Sequence, residues 1–307
     1  MLIGLWIYDE LSFNKYHQNY DRIGELWTGK TDVQTSAIIG STATPYPVTT
    51  ILREKYPQYF KRVLRAWWLN NYTLTLDGEK LTRYGQFIEG DGIEMLSLKM
   101  LSGGNESLKD PHSIILSRST AESIFGKGDF IGKTFTINAL NGLEQVTITG
   151  VYEDIPSNND FASAQFFAPW SLMELSNPWW IKESQNDWNS KNFKTYVELN
   201  EDVDFEKVNA AIVDIFRKNS PQDFFRIVEN SKPFVQIIPM STRHLYSEFE
   251  NGKPASGELY LSGCLVSWAA LCFYWLVSIL SISALPVQRN APGKLEYAKQ
   301  LGQKDTS

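Results

Sequence analysis

Cysteine is absent from the first 263 residues of this chain, because Cys264 and Cys272 both lie in one apolar run near the C-terminus. A disulfide framework is therefore excluded for most of the sequence. If the apolar run is helical, the two thiols stand about 12 Å apart, beyond the roughly 7 Å that a disulfide allows between Cα atoms. We expect both cysteines to face lipid or a neighbouring helix.

An excess of positive charge is also missing. The formal net charge is -6 and the sequence pI is about 5.3. Binding along a phosphate backbone needs clustered Lys and Arg, so we expect no nucleic-acid partner. Hydrophobic residues make up 43% of the sequence, which is enough to bury the core of one large domain or of two modest ones.

Residues that commonly carry catalysis are scarce. His17, His112 and His244 lie far apart in the sequence, and none has a carboxylate or thiol at metal-ligand spacing. The neighbouring carboxylates Glu153 and Asp154 would face opposite sides of a strand, and no Gly-x-Ser-x-Gly motif is present. The sequence therefore predicts no catalytic residue, no metal ligand and no cofactor, and we expect that the chain is not an enzyme.

One stretch resembles a phosphate-binding loop. Residues 126–134 read GKGDFIGKT and end in Gly-Lys-Thr. A P-loop has four residues between its two glycines, whereas Gly128 gives three and Gly126 gives five. A strand-like segment follows in place of the helix that would bind the phosphates, so nucleotide binding is not predicted here.

Tryptophans occur as the pairs Trp67–Trp68 and Trp179–Trp180, with Trp170 and Trp188 near the second pair. Paired aromatic rings can line a groove for an apolar or sugar ligand. Packing in a core or between lobes is the commoner role, and we expect it here.

Short apolar patterns predict alternating strands and helices over the first 240 residues. Strands are predicted within 21–33, 62–76 (two), 113–116, 130–137, 146–152 and 234–238. Helices are predicted at 48–56, at 119–125 with a Ser119–Glu122 capping box, and at 205–216. The elements interleave without a regular βαβ repeat, so the predicted fold class is α+β.

The run from Leu259 to Leu285 has no charged residue and exceeds the roughly 20 residues needed to cross a bilayer. We predict a transmembrane helix there. Basic residues are in excess after this run and acidic residues are in excess before it, so residues 286–307 are predicted to be cytoplasmic.

Met1 to Tyr8 is too short to span and lacks the basic region of a signal peptide, so we expect the last turns of a first transmembrane helix. A short buried strand or helix is the alternative.

Several short segments along the chain match a known pattern. Residues 8–17 (YDELSFNKYH), followed by Asp21-Arg-Ile23, resemble the junction between the first transmembrane helix and the periplasmic core domain of MacB-like permeases. These permeases belong to the MacB/FtsX type of ABC-transporter permease, and the resemblance is strongest to its Bacteroidota members. Further similar segments follow in order: Ile115 to Gly126, Ile131 to Lys133, Thr149 to Pro156, Trp188 to Leu199 and His244 to Ser247. The resemblance covers residues 1–285.

The resemblance implies a two-lobed extracytoplasmic domain between the first two of four transmembrane helices. It also implies a cytoplasmic ABC ATPase subunit, a second permease copy in a dimer, contact with membrane lipid, and partners in the periplasm or outer membrane. Such permeases pass ATP-driven motion across the inner membrane for export or envelope remodelling. The expected domains are 1–12 (end of a transmembrane helix), 13–258 (periplasmic core domain), 259–285 (transmembrane helix) and 286–307 (cytoplasmic tail).

After Leu285 the sequence departs from the family pattern, and Glu296 to Gly302 keeps only a faint similarity to the usual basic segment. We therefore expect a permease truncated at both ends. A membrane-anchored binding or sensor protein with a single span is the alternative function.

Overall fold

The computed structural model describes residues 11–140 and 142–243, and also the backbone of residues 248–250 and 253–255. These residues belong to one compact unit. Among them, no helix is long and apolar enough to cross a membrane. The spans predicted at 1–12 and 259–285 and the tail at 286–307 lie outside the described residues, apart from Leu11 and Ser12.

Strands dominate the described residues, and their bounds are as follows. They are β1 (Ile23–Thr31), β2 (Ile38–Ser41), β3 (Thr44–Pro45), β4 (Phe60–Ala66), β5 (Asn70–Leu76), β6 (Glu79–Ile88), β7 (Met100–Ser102), β8 (Ser113–Ser117), β9 (Thr134–Asn138), β10 (Leu143–Tyr152), β11 (Phe166–Pro169), β12 (Lys191–Leu199), β13 (Phe234–Pro239), β14 (Glu248–Glu250) and β15 (Lys253–Ala255).

The helices are short. They are α1 (Tyr46–Lys55), α2 (Gly92–Met95), α3 (Arg118–Phe125), α4 (Trp170–Ser176), α5 (Pro178–Ser184), α6 (Phe205–Ile212), α7 (Ile215–Asn219), α8 (Gln222–Val228) and α9 (Met240–Arg243), with 3₁₀ turns at Asn105–Leu108 and Glu229–Ser231. The predicted α+β class is confirmed, because strands and helices alternate irregularly around a largely antiparallel sheet.

Six strands close into a ring at one end of the sheet. Their order is β11-β8-β10-β9-β5-β6, and β6 pairs back to β11 in parallel. Alternate residues of each strand point into the ring, as Ile114 and Leu116 of β8 do, and they form one apolar core. Ile115 of the same strand faces the opposite way and packs in a second cluster outside the ring.

The other end of the sheet is open and covered by helices. Strands β4, β12, β1 and β13 lie side by side with antiparallel pairing. Helices α1, α6 and α7 pack on this sheet around a third apolar core that contains Leu52, Val208 and Phe216. The ring and this open sheet belong to one continuous sheet.

Two predicted details of the helices are wrong. The capping residue of α3 is Ser117, whose hydroxyl accepts from the Thr120 N–H, so the helix begins before the predicted capping box at Ser119. The helix predicted at 205–216 is divided into α6 and α7. The Val213 carbonyl at the break accepts a hydrogen bond from the Val235 N–H of β13, which draws it away from the helical pattern.

Candidate functional site

Asn14 attaches the N-terminal segment, residues 11–20, to two other parts of the domain. It is fully buried and has φ 62°, a left-handed conformation that Asn tolerates better than most residues. Its side-chain amide donates to Asp160 Oδ2 at 2.9 Å and to the Met240 carbonyl at 3.2 Å. Its side-chain oxygen accepts from the Asp160 N–H at 3.0 Å. The N-terminal segment is therefore held both to the loop before β11 and to the start of α9.

His17 makes the second attachment of the same segment. Its ring is fully buried, with Nδ1 2.6 Å from the Leu96 carbonyl and Nε2 2.9 Å from the Asn159 side-chain nitrogen. The ring of Phe161 meets it edge-on at a centroid distance of 5.8 Å. The segment thus lies against both α2 and the loop at 158–161.

Arg243, the last residue of α9, brings the C-terminal end of the described domain to the same place. Its Nη1 lies 3.2 Å from Asp160 Oδ2 and 2.9 Å from Glu25 Oε2. The other oxygen of Glu25 is 2.5 Å from Lys194 Nζ on β12. Glu25 is 1% exposed, so its carboxylate is neutralised by these two cations and not by water.

The charges at this place balance, with two carboxylates facing two cations. Burial by itself would lower the pKa of Lys194, but Tyr196 and Glu25 raise it above its ordinary value. The pKa of Arg243 is raised in the same way, because Glu25 and Asp160 outweigh its burial. Both cations therefore stay charged at neutral pH, and each needs its buried partner.

We call this cluster the polar junction. It consists of Asn14, His17, Glu25, Asn159, Asp160, Lys194 and Arg243. It joins the segment at residues 11–20 to the helix at 240–243, although these are separated by more than 200 positions in the sequence. Its arrangement suits mechanical attachment, because its polar atoms are mostly committed to one another.

A separate cleft of about 500 Å³ opens between α1 and the start of α4. Arg65 is buried there with its guanidinium 3.5 Å from the Tyr46 ring centroid, and burial lowers its pKa to about 10. Arg53 and Arg65 face Glu89 and Glu174 in this cleft. The third cation of its lining, Lys109, pairs with Glu106, so the cations have carboxylate partners within the chain. This balance favours a structural role for the buried arginine over binding of a charged ligand.

The structure places most of the residues that the sequence pattern excludes as catalytic residues or metal ligands. His112 lies on the surface, 3.8 Å from Glu144, and His244 is outside the described residues. Glu153 pairs with Lys99, whereas the Asp154 carboxylate accepts from Ser119. No group of three or more potential metal ligands occurs in the part of the chain that the structure describes.

The loop that resembles a phosphate-binding loop leads directly into β9. Gly126 and Gly132 both have positive φ values, which glycine adopts without strain. The Gly132 N–H donates to the Ile148 carbonyl at 2.8 Å. The loop therefore serves the turn between α3 and β9.

The tryptophans mostly pack, as predicted. Trp188 is buried, and Trp68 donates its indole N–H to the Asn192 carbonyl at 2.9 Å. Trp179 is the exception, with 63% of its surface exposed. Three others surround Phe193 at ring-centroid distances of 5.9, 5.8 and 5.3 Å: Trp67, Trp170 and Trp180.

Sequence reasoning did not single out most of the polar junction. Asn14 and His17 lie in the segment at 8–17 whose resemblance was recognised, and Lys194 lies in the similar segment from Trp188 to Leu199, but Glu25 and Arg243 were not selected. A signal was present, because Glu25 stands between Ile23 and Leu26 in the strand predicted within 21–33, and this strand proves to be largely buried. A charge in such a position requires a buried partner.

Comparison with known families places this architecture. The family model for the MacB-like periplasmic core domain matches residues 1–215. The chain belongs to this family. It is therefore of the MacB/FtsX permease type, and the described residues form an α+β extracytoplasmic domain of that type. A search of curated proteins finds no match.

Three solved structures are similar to this MacB-like domain to different degrees. A domain of a Porphyromonas gingivalis protein described as a permease superposes with a TM-score of 0.60 at 20% identity, covering 73% of this chain and 91% of that one. The periplasmic region of MacB from Actinobacillus actinomycetemcomitans gives a TM-score of 0.47 at 14% identity, covering 74% and 95%. The extracellular domain of the transporter YknZ from Gram-positive bacteria gives 0.46 at 14% identity, covering 70% and 99%.

Proposed function

We propose that the chain is a permease subunit of an ABC transporter, with residues 13–258 outside the cytoplasm. A first transmembrane helix would end near residue 12, a second would occupy 259–285, and residues 286–307 would be cytoplasmic. Membership of the MacB-like family and the charge asymmetry around residues 259–285 support this topology.

The polar junction is the observation that carries the proposal. Asn14 lies just after the first proposed span, and Arg243 lies shortly before the second. Both contact Asp160 Oδ2, at 2.9 Å and 3.2 Å. A movement of either membrane segment would therefore act on the same carboxylate and on the sheet behind it.

The proposed role is mechanical coupling. A cytoplasmic ABC ATPase subunit would move the membrane helices of two permease copies, and the junction would pass that movement to the extracytoplasmic domains. The output would be export or remodelling of the envelope, through contacts with periplasmic or outer-membrane partners. Because the junction binds its own polar groups to one another, we assign it no catalytic step.

Cysteine labelling tests the topology. With Cys264 and Cys272 changed to Ser, the chain has no thiol, so a single new one reports its own location. Ser157 is exposed on the domain, and Ser157→Cys should react with an impermeant maleimide once the outer membrane is opened.

Ser307→Cys is the matched control and should react only after the inner membrane is breached. The reverse pattern, with Ser307→Cys labelled from outside and Ser157→Cys protected, would contradict the proposed orientation.

A further inference from the structure

His17 is held between an obligatory acceptor and an obligatory donor. The Leu96 carbonyl can only accept, so the Nδ1 atom 2.6 Å away carries the proton. On the other side, the Asn159 oxygen accepts from the Phe161 N–H at 2.8 Å, which fixes the orientation of the amide. The Asn159 NH₂ group therefore donates to Nε2 at 2.9 Å.

This arrangement fits one protonation state. Neutral His17 with its proton on Nδ1 satisfies both partners. A second proton on Nε2 would point at the Asn159 NH₂ group, and the amide cannot turn round without giving up its bond to Phe161. The charged ring is therefore incompatible with the closed junction.

The surroundings of the ring do not supply an unpaired anion. Asp160 in the 158–161 loop favours the charged ring, but Arg243 of α9 already pairs with it at 3.2 Å, and burial outweighs its effect on the pKa of His17. On the segment itself, Tyr16 meets the ring edge-on, and burial raises the pKa of its phenol, so it stays neutral. Lys99, after α2, lies over Tyr16 and pairs with Glu153.

We propose that His17 is an acid-sensitive latch that holds residues 11–20 on the domain at neutral pH and releases them when its ring becomes charged. This regulation rests on the proposed function of the polar junction, since releasing the segment would uncouple the first membrane segment from the domain. Acidification of the space outside the inner membrane would then weaken coupling.

The direction of the pH dependence follows from the difference in the pKa of His17 between the closed and the open junction. Burial lowers the pKa of His17 in the closed junction below the value of about 6.5 expected once the segment opens. Opening therefore takes up a proton as the pH falls. The closed state keeps its full stability above about pH 6.5, and it loses up to about tenfold in population per pH unit below that value, until the lowered pKa is reached.

Hydrogen exchange of the full chain in nanodiscs tests the latch. Each amide's protection factor is its intrinsic exchange rate divided by its observed rate at the same pH. Between pH 7.5 and 5.5, the protection factors of the amides in residues 12–20 should fall by up to about tenfold. The Asn14 N–H, which bonds to the Asn158 carbonyl at 2.9 Å, is the most informative amide. Protection of β9 in the ring should stay constant.

Two variants complete the test. His17→Gln keeps one donor and one acceptor but cannot become charged, so its segment should stay closed at both pH values. His112→Gln removes an exposed histidine and should behave like the unchanged chain.

The latch would be overturned if acid accelerated exchange in His17→Gln as much as in the parent chain. Loss of protection in β9 at the same pH as in residues 12–20 would also overturn it. The readout involves neither the ATPase nor the orientation in the membrane. The latch can therefore fail while the proposed function stands, and the reverse is also true.

Discussion

Glu25 is the residue on which the charges of the polar junction depend most. Its two oxygens meet Lys194 at 2.5 Å and Arg243 at 2.9 Å, and water has almost no access to it. Removing one member of a buried charge cluster leaves the others without a counter-charge, which costs more than the cluster itself contributes.

Glu25→Gln should therefore lower the free energy of unfolding by about 3–5 kcal/mol. Chemical denaturation of the purified chain, followed by tryptophan fluorescence, measures this change. Glu201→Gln is the control, because Glu201 is 83% exposed and lies 3.6 Å from Arg22, so its loss should cost less than about 1 kcal/mol. Equal losses in the two variants would show that the junction is not a buried charge cluster.

At the scale of elements, closure of the ring depends on a close approach between β6 and β11. Gly85 faces Phe166 across the parallel pairing. A Cβ atom at residue 85 would come within 2.3 Å of the Phe166 ring. Because residue 85 has no side chain, there is room for the Phe166 side chain, and the two strands can pair.

Gly85→Ala should displace Phe166 and destabilise the domain by about 1–3 kcal/mol, measured as a lower midpoint of thermal unfolding. Gly104→Ala is the matched control. Gly104 has an extended backbone, and a Cβ there would meet nothing within 4 Å. If the midpoint of thermal unfolding is unchanged in Gly85→Ala, the pairing of β6 with β11 does not depend on the missing side chain at residue 85.

Local elements could be predicted from the sequence, whereas their assembly could not. The strands around Ile114 and Val235 and the helix beginning near Val48 follow from apolar spacing over a few neighbouring residues. The pairing of β11 with β6 joins residues about 80 positions apart, and no local pattern specifies it. The break between α6 and α7 also depends on a distant strand, through the Val213 carbonyl.

The candidate site shows the same limit. The resemblance at residues 8–17 marked the region of Asn14 and His17 as a junction with the membrane. Their partners Asn159 and Asp160 come from one distant loop, Arg243 of a short helix contacts Asp160, and only the fold brings these residues together. A polar residue in a local pattern does not reveal whether it will be buried or which group it will meet.

At the scale of the whole molecule, we propose that ATP-driven movement of the membrane segments reaches the extracytoplasmic domain through the polar junction. The two copies of a permease dimer should then change their separation outside the membrane when the ATPase turns over. Asn14 and Arg243, which lie next to the two proposed membrane spans, both contact Asp160, so the change in separation should depend on Asp160.

The most direct test is a spin-label distance between copies in nanodiscs that contain the full chain and its co-purifying ABC ATPase. Lys80→Cys, in the background without Cys264 and Cys272, places a label on an exposed residue of the ring. We predict that ATP shifts the distance between the two labels, and that Asp160→Asn removes the shift while the ATPase stays bound. The same distances with and without ATP in the parent chain, or an undiminished shift in Asp160→Asn, would contradict coupling through the junction.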